Sequence, residues 1–406
     1  MHIGIAAPAE TSSIIDLLGA SAARAPAGYA GAPIIGVLAR SLIAKGHQVS
    51  LYTTDNSLLP KQSEPLVVHG DNITVFYCPS RRRSFTPQNG RIGRMADFFR
   101  FERQGLVCAI QQDAPDVVHA HWSYEFAWAA MEAKRPYIVT FHDAPRQVLK
   151  FMPNLYRLGR YLMVKRVAKS NAIKTTVSPY MQQELMDWAE CLTELVPNPI
   201  EDAWFFAGQD PNKRDLRKPK IAMVLSGWSS RKNPEPAFSA FAKILASIPL
   251  SELHVFGADF GPNEKSHQWC DEHNLSRNVV FHGKVSYPEL RQQLSEMTLL
   301  LHPALEESFG MTLIEAMALA LPVVAGVSSG AVPWVCEGGK AGALVDVLDE
   351  QAIADAVINL LSSPIKYTEV AQYAQQSAKA RFSALSVADA YEKYYLQAIQ
   401  KAKSTC

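Results

Sequence analysis

The stretch LLLHPALEESFGMTLIEAMALALPVVAG, residues 299–326, has the pattern of a strand, a short loop, a helix and a second strand. The first apolar run ends at a proline, and a Ser-Phe-Gly turn comes before the helix. Strands that are apolar on both faces and separated by helices are typical of parallel sheets. The stretch therefore predicts an α/β unit whose loop lies at the carboxyl end of a strand, where such sheets bind ligands.

The same alternation of strands and helices runs through the whole chain and starts afresh near residue 220. Strands are predicted at 2–6, 48–54, 73–78, 116–122, 137–142, 172–178 and 194–198 in the first half. In the second half they are predicted at 220–227, 252–258, 278–284, 298–304, 321–326 and 342–346. The predicted fold class is α/β, with two doubly wound, Rossmann-like domains facing each other across a cleft.

A chain of 406 residues is too long for one ordinary core, which favours two domains of about 200 residues. We place the first domain at residues 1–200 and the second at 201–385. The helical segment 386–406 follows the second sheet and is expected to cross back onto the first domain.

Composition indicates a globular, cytoplasmic protein. The six cysteines are scattered without a Cys-x-x-Cys pair, and no apolar run approaches the roughly 20 residues that span a bilayer. Residues 1–200 carry 21 Lys/Arg against 16 Asp/Glu, whereas residues 201–406 carry 19 against 23. A modest basic excess suits an anionic surface, but without a clustered basic face it gives little support to nucleic-acid binding.

Two carboxylates eight residues apart, Glu307 and Glu315, flank the start of the predicted helix in the opening stretch. As ligand-binding groups, Glu307 would accept hydrogen bonds from hydroxyls and Glu315 would hold a vicinal diol. As structural residues, Glu307 would be an acid at a helix start and Glu315 a solvated helix residue. The spacing leaves both interpretations open.

The same turn offers an anion site, because Gly310 to Thr312 would present free N–H groups at a helix N-terminus. Ser308 is the expected N-cap residue of that helix. Arg231 and Lys232 stand just before another helix, where cations oppose the helix dipole unless an anion offsets them. A bound diphosphate would compensate for the unfavourable interaction of these cations with the helix dipole. The alternative is that the pair is simply solvated, as a single basic pair usually is.

Two histidines, His121 and His142, end consecutive strands of the first domain, where side chains meet ligands. Structural roles are commoner for such residues, but Asp143 next to His142 makes the latter the better candidate for a site. In GYAGAP, residues 28–33, Gly28 and Gly31 permit close approach of the backbone, although the spacing fails the dinucleotide fingerprint.

Basic residues also occur in two clusters, RRRSF at 81–85 and the segment 150–169, which has six basic residues and no acidic one. The second cluster is compatible with docking on anionic lipid head groups and equally with a solvated helix face. The sequence contains no Asp-x-Asp, His-Glu-x-x-His or Walker pattern, so it gives no sign of a metal or another cofactor.

Together these motifs resemble the retaining glycosyltransferases of family 4, which have the GT-B fold and include bacterial enzymes of polysaccharide and lipid-sugar synthesis. The most specific element is the E-x7-E motif formed by Glu307 and Glu315. The likeness extends over nearly the whole chain, through PDVVHAHW (115–122), YIVTFHDAP (137–145), VPNPI (196–200) and GKVSYPELRQQLSEMTLLLHPA (283–304).

The resemblance implies a role for each matching residue. Glu307, His142 and Lys232 would be the catalytic residues, with Glu307 and His142 on the transferred sugar and Lys232 on the diphosphate. Glu315 would bind the ribose of the nucleotide. The implied donor-binding residues are Arg231, Lys232, Glu307, Ser308, Phe309, Gly310, Met311, Thr312, Glu315, Gly28 and Gly31.

The resemblance also implies a nucleotide-diphosphate sugar as donor, with UDP-glucose first by family frequency, and no metal. The acceptor would be a saccharide or lipid-linked saccharide for cell-surface polysaccharide. Peripheral contact with the inner membrane surface is a separate hypothesis, which the basic first domain favours. The chain departs from the family at Trp228, where an arginine is usual, and at Ala320 and Trp334. The sequence leaves open whether Arg231 replaces the missing arginine.

Three other classes stay open. A nucleotide-sugar epimerase of the same fold shares the expected cleft. A non-catalytic nucleotide-sugar sensor is compatible with the departures from the family pattern. A nicotinamide-dependent dehydrogenase is disfavoured, because the glycine fingerprint fails.

Overall fold

The computed structural model describes residues 1–29, 31, 33–59, 64–87 and 90–404. Ala30 and Ala32 of the GYAGAP loop lie outside the described residues, as do the last two residues of the predicted segment 386–406. The chain forms two compact units. One comprises Met1–Pro199 with Ala384–Cys406, and the other comprises Ile200–Ser383.

The first unit contains an eight-stranded sheet with strand order β3-β4-β2-β1-β5-β6-β7-β8. Its strands are β1 (His2–Ala6), β2 (Gln48–Asp55), β3 (Leu66–His69), β4 (Ile73–Pro79), β5 (Val117–His121), β6 (Tyr137–Phe141), β7 (Ile173–Thr176) and β8 (Glu194–Leu195). All neighbours pair in parallel except β3, which is antiparallel to β4. Its helices are α1 (Ile15–Leu18), α2 (Ile34–Ala44), α3 (Arg100–Asp113), α4 (Glu125–Glu132), α5 (Pro145–Phe151), α6 (Leu155–Ala168) and α7 (Pro179–Ala189).

The second unit contains a six-stranded, wholly parallel sheet with strand order β11-β10-β9-β12-β13-β14. Its strands are β9 (Lys220–Val224), β10 (Glu252–Phe256), β11 (Val279–Gly283), β12 (Leu299–His302), β13 (Val323–Gly326) and β14 (Gly342–Val345). Its helices are α8 (Asp202–Ala207), α9 (Pro234–Ser247), α10 (Lys265–Glu272), α11 (Tyr287–Ser295), α12 (Met311–Ala318), α13 (Val332–Val335), α14 (Glu350–Leu361) and α15 (Pro364–Phe382).

The final helix, α16 (Ala384–Lys403), packs on the first sheet. Its Tyr395 hydroxyl lies 2.8 Å from Nδ1 of His119 on β5, and its Tyr391 hydroxyl lies 3.2 Å from Oγ1 of Thr140 on β6. All four side chains are buried, so these hydrogen bonds connect α16 to the centre of the first unit.

The predicted α/β fold class is confirmed, and each predicted strand is present. Strand β3 was not predicted. It forms a hairpin with β4 through a turn in which Asn72 has a φ of 58° and the Gly70 N–H bonds to the Ile73 carbonyl at 2.8 Å. The Gly-Asp-Asn sequence at 70–72 is a hairpin signal that could have identified this edge strand.

Several strands end before the predicted residue. Strand β6 ends at Phe141, and β12 ends at His302. The residues after each strand turn at the carboxyl edge of the sheet, and this edge carries the polar side chains discussed below. Among the described residues, no helix has the length and apolar character needed to cross a bilayer.

Candidate functional site

The loop after β12 and the loop before α9 meet at the carboxyl edge of the second sheet. Asn233 connects them, because its Nδ2 donates hydrogen bonds to the carbonyls of Pro303 and Val347, both at 3.0 Å. The Leu305 N–H also bonds to the carbonyl of Arg231 at 2.9 Å. These contacts hold the basic residues that precede α9 beside the acidic residues that precede α12.

Lys232 and Glu307 form a buried ion pair at this junction, in which the lysine Nζ donates to the glutamate Oε1. Their side chains are only 8% and 12% exposed. The same oxygen lies 3.1 Å from Nε2 of His302, the last residue of β12. The other ring nitrogen of His302 lies 3.5 Å from the Thr312 hydroxyl. Oε1 of Glu307 thus has two partners, Lys232 and His302.

These partners hold Glu307 in its ionised form. Burial by itself favours the neutral carboxyl, but the charge of Lys232 and the hydrogen bond from His302 outweigh it and lower the pKa of Glu307. His302 was not among the predicted site residues. The strand-end reasoning that singled out His142 would have identified it.

Arg231 pairs with the other glutamate of the loop. Its Nη1 lies 2.9 Å from Oε2 of Glu306, and the Ser308 hydroxyl lies 3.4 Å from Oε1 of that residue. Burial raises the pKa of Glu306, although Arg231 acts in the opposite direction. Each of the two predicted diphosphate-binding cations is therefore matched by its own carboxylate.

The start of α12 differs from the prediction, because Ser308 is not the N-cap residue. Gly310 occupies that position with a φ of 93°, and glycine has no side chain with which to cap the helix. A left-handed φ suits glycine, which lets the chain turn sharply into Met311 and Thr312. Phe309 is buried beside this turn, 5.5 Å from the ring of Phe382.

Glu315 points inward from α12 and is 4% exposed, so the interpretation of a solvated helix residue is wrong. The Tyr287 hydroxyl donates to its Oε1 at 2.9 Å, and the Trp204 indole N–H donates to that hydroxyl at 3.1 Å. Burial raises the pKa of Glu315 to about 7, although the Tyr287 hydrogen bond acts against the shift. No sequence pattern identified Tyr287 or Trp204 as partners.

Trp228, which stands where the family usually has an arginine, lies in an aromatic group. Its ring is 5.5 Å from that of Trp269, 5.9 Å from Phe260 and 6.1 Å from Phe238. Its backbone N–H donates to Asp259 Oδ2 at 3.0 Å. The indole therefore packs against the core of the second unit.

Gly28 and Gly31 belong to the first unit, where their loop lies against the segment that follows β1. A Cβ on Gly28 would lie 2.4 Å from the Ala9 carbonyl oxygen, and one on Gly31 would lie 2.5 Å from that of Pro8. The Gly28 N–H also donates to Asp55 Oδ2 at 2.7 Å. Close packing within the unit is therefore sufficient to require both glycines.

His142 also belongs to the first unit and directly follows β6. Its Nε2 lies 2.9 Å from Nδ1 of His121, and its ring lies 4.5 Å from that of Trp122. Burial lowers the pKa of His142 to about 3, and burial together with the neighbouring histidines lowers that of His121 well below its usual range. Both rings are therefore neutral at physiological pH.

Within the described part of the chain, no group of three His, Cys, Asp or Glu side chains is arranged to hold a metal ion. The polar groups brought together in the second unit are two cation–carboxylate pairs, one histidine and the start of a helix with glycine at its N-cap. The carboxylates balance the charge of the two cations, so what this sheet edge offers an anionic ligand is oriented cationic side chains and the backbone N–H groups of a helix start.

Two family profiles match the chain. The profile of glycosyl transferases group 1 matches residues 208–377, and that of glycosyltransferase family 4 matches residues 34–204. The chain belongs to glycosyltransferase family 4. It is thus a glycosyltransferase, and its two Rossmann-like units make up the GT-B fold of the family.

Curated relatives of this family 4 chain include two bacterial enzymes of similar length. N-acetyl-alpha-D-glucosaminyl L-malate synthase of Bacillus anthracis is 26% identical over 72% of the chain and 78% of its own length. A D-inositol 3-phosphate glycosyltransferase of Stackebrandtia nassauensis is 26% identical over 89% of the chain and 85% of its own length.

Solved structures support the fold. A sucrose-phosphate synthase from Thermosynechococcus elongatus has a TM-score of 0.75 at 18% identity, with 98% of each chain covered. The Anabaena protein HepE, solved in complex with UDP and glucose, has a TM-score of 0.64 at 18% identity, with 97% of this chain and 98% of that chain covered.

Proposed function

We propose that this family 4 enzyme transfers a hexose from a nucleotide-diphosphate sugar to a saccharide or lipid-linked saccharide acceptor, with retention of configuration. UDP-glucose is the leading candidate for the donor. The observation that carries the proposal is the Lys232–Glu307 pair in the loop that leads into α12, whose N-cap residue is Gly310. This arrangement offers cations and backbone donors for a diphosphate, with a carboxylate next to them for sugar hydroxyls.

Glycosyl transfer separates charge, because negative charge collects on the departing diphosphate as the anomeric carbon becomes positive. Lys232, Arg231 and the N–H groups of Gly310 to Thr312 would stabilise the departing group. Donors that are already oriented need no reorganisation during the reaction, and each contributes about 3–4 kcal/mol in comparable sites. Glu307 and Glu306 hold the two cations in place before the donor binds.

Glu315 would hold the two ribose hydroxyls of the nucleotide. Its buried carboxylate accepts one hydrogen bond from Tyr287, which fixes its orientation and leaves acceptor capacity for a diol. A donor with a uridine base is our first choice, because HepE of similar fold was solved with UDP and glucose.

In the proposed retaining step, the acceptor oxygen bonds to the anomeric carbon on the face that the diphosphate leaves. The bond between that carbon and the diphosphate oxygen breaks, and the departing phosphate takes the acceptor proton. No protein nucleophile and no metal ion is assigned. Glu307 would contact the transferred sugar. The roles that the family resemblance implies for His142, Gly28 and Gly31 of the first unit stay predictions.

We further propose that the protein works in the cytoplasm at the inner face of the membrane, in cell-surface polysaccharide synthesis. Helix α6 supports this proposal, because Leu155, Leu158 and Leu162 are 73%, 43% and 48% exposed along one face. Lys165 and Arg166 occupy its last turn, and Lys169 follows it. Exposed leucines next to cations suit the interface of an anionic bilayer.

Titration calorimetry with UDP, GDP, ADP and dTDP, followed by incubation with the sugar of the preferred base, tests the proposal. Saturation at a hundred times the dissociation constant should also stabilise the fold by about 2.7 kcal/mol. Transfer to an acceptor supports the assignment. Isomerised donor without acceptor would identify an epimerase instead, binding without turnover would identify a sensor, and no nucleotide binding would refute the assignment.

A further inference from the structure

A groove lies at the amino edge of the first sheet, opposite to the edge where α/β sheets commonly bind ligands. Asp116 precedes β5, Tyr137 begins β6 and Ile173 begins β7, so the groove runs across the starts of three parallel strands. The last turns of α16 also line it. Its volume is about 720 Å³, which is in the range of small-molecule sites. We call it the amino-edge groove.

Asn171 connects the strands of the amino-edge groove to the helix. The Tyr137 hydroxyl donates to Oδ1 of Asn171 at 2.9 Å, and Nζ of Lys401 donates to the Asn171 carbonyl at 2.6 Å. The start of β6, the turn before β7 and the end of α16 are therefore joined by hydrogen bonds around the groove.

Positive charge prevails in the lining of the groove. Among the described residues, the lining contains four cationic side chains and one carboxylate, namely Lys134, Arg135, Lys401, Lys403 and Asp116. Oδ2 of Asp116 accepts a hydrogen bond from the His2 backbone N–H at 2.8 Å. Lys134 and Lys403 form no ion pair with a carboxylate of the described residues. The two cations of the proposed donor site, in contrast, each have a carboxylate partner.

Arg135 is held in a fixed orientation. Its Nε and Nη2 donate to the Pro115 carbonyl at 2.8 and 2.5 Å, and Nη2 also donates to the Ala114 carbonyl at 3.1 Å. Its Nη1 makes no hydrogen bond to the described residues. An oriented guanidinium with a spare donor suits a phosphate group, because its planar geometry matches the phosphate oxygens.

Helix ends account for the positions of these cations but not for the apolar part of the lining. Lys401 and Lys403 lie in the last turn of α16, and Lys134 follows the end of α4, where cations interact favourably with the helix dipole. Solvated cations need no apolar hollow between them. The lining nevertheless includes Pro136, Tyr137, Ile173, Ala398, Ile399 and Ala402. An apolar hollow bordered by cations suits a molecule that has both an apolar body and an anionic group.

We propose that the amino-edge groove is a second ligand site, which binds a phosphate monoester with an apolar chain or ring. The phosphate would contact Arg135, Lys134 and Lys403, and the apolar part would lie on Tyr137 and Ile173. The inference does not depend on the proposed function, because the groove belongs to the first unit and Lys232 and Glu307 belong to the second.

Calorimetric titration of the full chain with octyl phosphate, below its micellar concentration, tests the inference. Inorganic phosphate lacks the apolar body, and octanol lacks the charge. We expect octyl phosphate to bind at least about ten-fold more tightly than either, because only it uses both parts of the lining. No binding of octyl phosphate would overturn the inference, and equal affinity for inorganic phosphate would identify an ion site only.

Charge-reversing variants locate the ligand. Lys134→Glu/Lys403→Glu should weaken octyl phosphate binding by about ten-fold or more. Lys366→Glu/Lys379→Glu is the matched control, since it changes the net charge equally at exposed positions of α15 in the second unit. Equal affinities of the two double variants would contradict the assignment.

A groove-filling variant tests the apolar part without changing the charge. Ala402→Trp adds a large side chain near the end of α16 and should weaken octyl phosphate binding by about ten-fold as well. Its unfolding midpoint shows whether the fold is intact. Wild-type affinity in a folded Ala402→Trp variant would argue against the groove.

Lys232→Ala separates the groove from the proposed donor site, where a phosphate could also bind. This variant should keep wild-type affinity for octyl phosphate, whereas its affinity for UDP should fall. Loss of octyl phosphate binding in Lys232→Ala would assign the ligand to the donor site and overturn the inference. Absent UDP binding by the wild type would instead refute the proposed function and leave the groove assignment intact.

Sedimentation with vesicles identifies the source of the ligand, because a soluble metabolite and a bilayer lipid share this chemistry. If the lipid is the ligand, vesicles of phosphatidylcholine and phosphatidic acid should sediment less Lys134→Glu/Lys403→Glu than Lys366→Glu/Lys379→Glu. If a soluble phosphate monoester is the ligand, the two variants should sediment equally and differ only in their affinity for octyl phosphate. Either result supports the groove as a site.

Discussion

The Nζ of Lys232 donates a hydrogen bond to Oε1 of Glu307, although the two residues are 75 positions apart in the chain. The pairing follows from the sheet, because Lys232 follows β9, Glu307 follows β12, and these strands are parallel neighbours. Their carboxyl-end loops therefore lie side by side. Any diphosphate that reaches this edge meets a lysine that is already oriented.

Removing the lysine should abolish most of the transferase activity. We expect Lys232→Ala to lower kcat/KM at least about a hundred-fold, because a preoriented donor to the departing diphosphate is worth about 3 kcal/mol or more. Lys243→Ala is the control, since Lys243 lies on the adjoining helix α9 and pairs at the surface with Glu350 at 3.2 Å. Initial rates of nucleotide release measure the effect, and full activity in Lys232→Ala would contradict the assignment.

Neutralising Glu307 should cost stability as well as activity. Glu307→Gln leaves the Lys232 ammonium buried without its carboxylate, and breaking a buried ion pair in this way costs about 3–5 kcal/mol. Since the folded-state pKa of Glu307 is lowered, its ionised form stabilises the fold above the unfolded pKa, and this contribution disappears only as the pH falls through the lowered value. Urea unfolding should therefore show a deficit in the variant that persists from pH 5 to pH 8. An unchanged midpoint would argue against the pair.

Neutralising Glu315 should increase stability at alkaline pH, whereas neutralising Glu307 should decrease it. Its pKa rises from 4.5 to about 7 on folding. Its contribution to the free energy of unfolding is therefore fully present below pH 4.5 and is lost as the pH rises through about 7. We expect Glu315→Gln to be more stable than the wild type at pH 8, by about 3 kcal/mol at most, and nearly equal at pH 4.5. The same variant should bind UDP more weakly. Equal unfolding midpoints at pH 8 would show that the carboxyl is not held in a desolvated site.

The exposed face of α6 should control attachment to lipid. We expect Leu162→Glu to reduce sedimentation with vesicles of phosphatidylglycerol and phosphatidylcholine several-fold, because it removes an apolar contact and adds repulsion from the anionic surface. Leu385→Glu is the control, since Leu385 is similarly exposed (53%) but lies on α16. Equal sedimentation of the two variants would exclude α6 as the contact surface.

Local sequence patterns were sufficient to predict the alternation of strands and helices. Apolar runs bounded by turns located β1, β9 and β12 to within a few residues, because strands buried on both faces must be apolar throughout. The edge strand β3 was not predicted, because its apolar pattern is short and only Val68 is fully buried. Helix starts were predicted less accurately. Ser308 was the expected N-cap residue of α12, but Gly310 occupies that position.

The sequence by itself determined the α/β class and the eight-residue spacing of Glu307 and Glu315 around a helix start. Only the tertiary structure decided what each side chain meets: Lys232 and His302 for Glu307, and Tyr287 for Glu315. The physical reason is that hydrophobic periodicity depends on neighbours a few residues away. Ion pairing and desolvation depend on which loops lie at the same edge of a parallel sheet. The order of the strands decides this, and no local sequence pattern predicts that order.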